Sequence, residues 1–152
     1  MTTYQEIFAL FTNKITDYRL PSLTQDEAEF RMINFLNSSI SRFTPYCQKD
    51  LNDKNDTLKQ FNIDLSTLEK EILALMMVYE WTNSFVLSEE FLKQKLGTKD
   101  YQIYSPANHL EKLIQLRSSI QNDIDDLIKL YYYTEQWCLC IGKQLKIIWT
   151  NL

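Results

Sequence analysis

With 152 residues, 45% hydrophobic and 24% charged, the chain has material for one globular domain and is neither a disordered nor a fibrous sequence. Two glycines and three prolines leave too few turn formers for a many-stranded fold, which favours helices. A net charge of −4, with basic residues scattered singly among acids, argues against a protein that holds nucleic acid by neutralising its phosphates.

The chain opens Met1-Thr-Thr-Tyr-Gln-Glu6, without a basic leader and with an acid at position 6, so a signal peptide is not expected. Thr3 and Glu6 instead form a capping box, in which a hydroxyl accepts a free backbone N–H while the carboxylate reaches back to the cap. Tyr4, Ile7, Phe8, Phe11, Ile15 and Tyr18 follow at helical spacing, predicting a helix over 4–18 that Leu20-Pro21 ends. Thr24 and Glu27 start a second helix over 25–43, with Ala28, Met32, Phe35, Leu36, Ile40 and Phe43 on one side and Pro45 after its end. The Asn- and Asp-rich stretch 48–57 reads as an exposed loop, with room for one helical turn around Asp56 to Phe61.

Ser66 and Glu69 open the most apolar segment, a helix over 67–87 in which Leu68, Ile72, Leu75, Met76 and Tyr79 are joined by Leu73, Met77, Val78 and Trp81 on the other faces. A helix apolar nearly all round should be covered nearly all round, so it is the expected hub of the domain or of an oligomer, with Leu75, Met76 and Tyr79 central. A short helix over 89–96 should end at Gly97, followed by an extended connector from Thr98 to Tyr104. Ser105-Pro106 then starts a long helix over 106–133.

Residues 134–152 are set apart as an interaction tail, and 1–133 as the helical domain. The tail and its approach carry Tyr131, Tyr132, Tyr133, Trp137, Leu139, Ile141, Leu145, Ile148 and Trp149, an apolar load found after one core is already accounted for. Two periods compete there. Trp137, Cys140, Ile141, Leu145, Ile148 and Trp149 fit a helical face, whereas Gly142-Lys143 could be the two-residue turn of a β-hairpin, which is the favoured reading.

Chemistry is sparse, and no catalytic, cofactor or metal residues are expected. Cys47, Cys138 and Cys140 have neither redox nor zinc spacing and read as reduced thiols. His109, the single imidazole, would need a nucleophile such as Ser105 and an orienting acid such as Asp100 to act as a general base, and reads instead as a local side-chain contact near a helix start. Asp123, Asp125 and Asp126 project in different directions from a helix and cannot converge on one ion. Base stacking on the tyrosines is opposed by the same acids, since only Lys129 lies near. No apolar run approaches the length of a membrane span. The expectation is a protein that is not an enzyme.

Three segments carry a likeness: Phe61-Asn-Ile-Asp-Leu65, Glu71-Ile-Leu-Ala-Leu-Met-Met-Val-Tyr-Glu-Trp81, and Leu92-Lys-Gln-Lys-Leu-Gly-Thr-Lys-Asp-Tyr-Gln-Ile-Tyr-Ser-Pro-Ala-Asn-His-Leu110. Through them, and in layout from Tyr4 to about Tyr133, the chain resembles head–tail connector (neck or adaptor) proteins of tailed bacteriophages. The resemblance implies an all-α bundle in a virion neck, made in the host cytoplasm. It also implies a ring, twelve copies if it follows the portal, between the portal protein and the next neck or tail-completion protein. DNA would pass through its channel without specific binding. The competing expectation is a cytoplasmic helical adaptor or regulator, acting as a dimer that buries the 66–87 helix.

Overall fold

The computed structural model describes residues 1–15, 24–103 and 107–149, with side chains for 1–15, 24–88 and 109–134. It is a helical bundle with a small sheet at one edge. The elements in order are β1 (Thr2–Thr3), α1 (Tyr4–Lys14), α2 (Gln25–Phe43), β2 (Lys54–Asn55), β3 (Gln60–Phe61), α3 (Thr67–Ile103) and α4 (Ala107–Trp149).

All three Ser/Thr–Glu capping boxes are made. Glu6 accepts the Thr3 N–H at 3.1 Å, Glu27 that of Thr24 at 3.0 Å, and Glu69 that of Ser66 at 2.6 Å. The α2 helix keeps its expected limits. The α1 helix ends at Lys14, because Ile15 has turned to an extended conformation (φ −116°, ψ 144°), and residues 16–18 of the expected helix lie outside the described residues. In its last turn Thr12 Oγ1 bonds back to the Phe8 and Ala9 carbonyls, a local competition that weakens a helix end. The predicted stop at Leu20-Pro21 lies outside the described residues, as does the Ser105-Pro106 start.

Residues 48–53 are irregular, as expected of a loop, but 54–61 form no helical turn. Lys54 pairs with Phe61 and Asn55 with Gln60 in an antiparallel hairpin, and β1 pairs on the other side of β3. Closing so short a hairpin places Lys59 in the left-handed region at φ 52°, and Asn55 Oδ1 accepts the Leu58 N–H across the turn. The sheet ties the start of the chain down. Thr2 is buried, donating its N–H to the Ile63 carbonyl and accepting the Leu65 N–H at its hydroxyl, while Tyr4 OH donates to Asp56 at 2.8 Å.

The 67–87 and 89–96 helices and the extended connector at 98–103 are one continuous helix, α3, so Gly97 does not cap it. A glycine inside a helix costs only about 1 kcal/mol, less than stopping and nucleating again. As the hub, α3 packs against α1, α2 and α4. Ile72, Leu73, Ala74, Met76, Met77 and Val78 are buried there against Phe11, Leu36 and Phe43 of the same core. Of the three residues expected at its centre only Met76 is fully buried; Leu75 and Tyr79 pack at the core's edge. Tyr79 lies under the Arg42 guanidinium, 4.1 Å from the ring centroid. That guanidinium donates to Glu80 at 3.0 Å and to Gln121 Oε1 at 2.8 Å, joining α2, α3 and α4.

The favoured tail hairpin is also overturned. The α4 helix runs unbroken through Gly142 to Trp149, so the boundary drawn at 133/134 falls inside it. Extending an existing helix adds a hydrogen bond per residue without a new nucleus, which outweighs a single glycine. The helical spacing of Trp137, Cys140, Ile141, Leu145, Ile148 and Trp149 was the truer signal.

Candidate interaction surface

The antiparallel register of α3 and α4 decides where the tail goes. Tyr131 OH meets Glu69 Oε1 at 3.1 Å, and Arg117 Nη1 meets Asn83 Oδ1 at 3.0 Å. Fourteen residues along one helix therefore match fourteen along the other. Since α3 begins at Thr67, that register brings α4 level with its start at about residue 133. A further sixteen residues of α4 follow, to Trp149. At 1.5 Å per residue they continue for about 24 Å with no more of α3 to lie beside.

Tyr131 fixes this departure point. It was expected on the interaction surface, but its side chain is 2% exposed and belongs to the core. Its ring packs edge-on against Phe43 at 5.7 Å. Its hydroxyl donates to Glu69 and accepts the Gln48 N–H at 3.1 Å. Burial pushes the phenol well above its usual range, so it stays a donor. Glu69 is wholly buried, receiving Lys49 Nζ at 2.7 Å and the Ser66 N–H as well as Tyr131. Burial works to raise its carboxyl, but the Lys49 and Ser66 bonds outweigh that and hold it below the usual range. Beside them Cys47 is a free, half-buried thiol whose pKa is raised by burial, opposite to what a reactive thiolate needs. One carboxylate thus caps α3, neutralises Lys49 and anchors α4.

Immediately beyond that latch the side chains turn outward: Tyr132 is 48% and Tyr133 66% exposed. Leu116 (46%) and Leu130 (49%) are also open on α4. Trp137, Leu139, Ile141, Leu145, Ile148 and Trp149 fall on the last turns of α4, where side chains lie outside the described residues. The sequence placed all three tyrosines together; a helix separates them, because consecutive residues point about 100° apart. The signal that singles out Tyr131 was available, since it continues the Ile120, Ile124, Leu127 stripe at spacings of three and four.

Among the described residues no group of His, Cys, Asp and Glu could hold a metal ion, and no helix is long and apolar enough to cross a membrane. Asp125 receives Gln121 and Asp126 receives Lys129, each within α4. His109 stands exposed in the first turn of α4. No family model, curated protein or solved structure matches the chain.

Proposed function

We propose that this chain is a structural subunit of a tailed-phage neck, a head–tail connector that forms a ring, joins the portal to the tail and continues the DNA channel. The observation that carries the reading is the overrun of α4: a helix latched to the core at Tyr131 continues past the start of α3 with an apolar sequence. A helical arm of this kind supplies one sticky face and the body another, and a ring requires two different faces per subunit. The likeness of segments 61–65, 71–81 and 92–110 to connector proteins supplies the setting, and a net charge of −4 suits a channel that must not grip DNA. The apolar faces of α3 count against the adaptor-dimer alternative, since Ile72, Leu73, Met76 and Met77 are already covered within one copy.

The test is assembly on a portal. Purified protein mixed with portal rings and imaged in negative stain should add a ring of density on the portal axis. A stable dimer that ignores the portal defeats the reading and favours the adaptor.

A further inference from the structure

Charge is unevenly distributed along α4. Asp123, Asp125 and Asp126 lie exposed between the open Leu116 and Leu130, whereas residues 136–152 contain Lys143 and Lys146 and no acid. Asp123 has no hydrogen bond or ion pair among the described residues, and Asp126 has only Lys129, in an exposed i,i+3 pair of the kind worth little. Leu116, Asp123 and Leu130 recur every seven residues, which places them on one side of the helix, with Asp126 beside them. Leu139, Lys143 and Lys146 recur at four and three residues and make a second stripe.

The two stripes match when run antiparallel: Leu139 on Leu130, Lys143 on Asp126 and Lys146 on Asp123. They cannot meet within one copy. Both belong to the same unbroken helix, and Asp126 and Lys143 are seventeen residues apart on it. At 1.5 Å per residue that is about 26 Å. Nor can they meet reciprocally between two copies. At about 100° per residue the acidic stripe and the basic stripe lie on nearly opposite sides of α4, so a neighbour seated on one leaves the other free.

We propose that residues 139–146 of one copy dock on the Asp123–Asp126–Leu130 face of a second copy, a one-way contact that repeats from subunit to subunit. This rests on the reading of the tail as an arm and names its partner surface. A contact of this type leaves one unfilled stripe at each end and closes only as a ring or continues as a filament. Burial of Leu130 and Leu139 supplies attraction, and the two charge pairs set direction and register.

The experiment reads mass by light scattering for the full chain and three variants. Asp123→Lys with Asp126→Lys, and Lys143→Glu with Lys146→Glu, should each set like charges opposite one another and weaken association about tenfold or more. The quadruple variant, with both stripes reversed, should recover the wild-type mass. Wild-type assembly should also weaken as salt is raised. Circular dichroism checks that each variant keeps its helicity. Single-stripe variants that assemble like the wild type, a quadruple variant that fails to recover, or a wild type that stays monomeric at every concentration overturns the proposal. Removal of residues 135–152 separates this failure from the larger one. If truncation dissociates the assembly while charge reversal does not, the arm stands and its docking face is elsewhere. If truncation leaves the mass unchanged, the arm itself is wrong.

Discussion

Tyr131 and Tyr133 are two residues apart and do opposite work. Tyr131→Phe keeps the ring against Phe43 but leaves the Gln48 N–H and one Glu69 lone pair without the hydroxyl, so it should cost about 1–3 kcal/mol in urea melts. Tyr133→Ala removes a largely exposed side chain and should leave monomer stability within about 0.5 kcal/mol. Equal effects from the two would show that the latch is misplaced. Glu69 adds a pH signature. Its carboxyl sits below the ordinary 4.5 in the folded chain, so its stabilisation is present above that value and lost as acid protonates it through the lower folded value. As the pH falls below the ordinary 4.5 the wild type should therefore lose more stability than Glu69→Gln, which has no charge to lose. Parallel acid limbs for the two proteins would contradict the ionised, buried role assigned to Glu69.

At the level of elements, the capping boxes at Thr3, Thr24 and Ser66 were legible because their chemistry is local: a hydroxyl and a carboxylate three residues apart settle where a helix begins. The ends were less so. Gly97 and Gly142 both look like stops in sequence, yet both lie inside helices, because the cost of one glycine is smaller than the gain from continuing a helix already under way. The two-residue strands at 54–55 and 60–61 were hidden for another reason. The 60–61 strand is held by the chain's first residues, some sixty positions away, the 54–55 strand pairs on its other side, and Lys59 carries the left-handed turn without the glycine that would have advertised it. The glycines give a sharp test. In a helix interior, Gly97→Ala and Gly142→Ala should each raise helicity or stability by up to about 1 kcal/mol. At a hairpin turn needing positive φ, alanine at 142 would be destabilising instead. A loss of ordered structure in Gly142→Ala would restore the hairpin for the tail.

For the whole molecule, the question is whether the core is complete without residues 135–152. Within one copy the described core already closes on itself. Phe43, Met77, Ile120, Ile124 and Tyr131 belong to one buried cluster, and Arg42 clamps three helices at once. The sequence carried the excess of apolar residues at its end but not their placement, because placement depends on the α3–α4 register that Glu69, Asn83, Arg117 and Tyr131 set across the bundle. Removing the last eighteen residues should therefore leave helicity per residue and the midpoint of thermal melting close to those of the full chain. It should also abolish self-association and binding to portal. The size of the second effect follows from burial: Trp137, Leu139, Ile141, Leu145, Ile148 and Trp149 would each contribute roughly 1.5–3 kcal/mol if fully covered by a partner. A shortened protein that unfolds or aggregates, while the full-length chain is a soluble monomer, would mean that these side chains complete the core of their own copy and that α4 carries no arm.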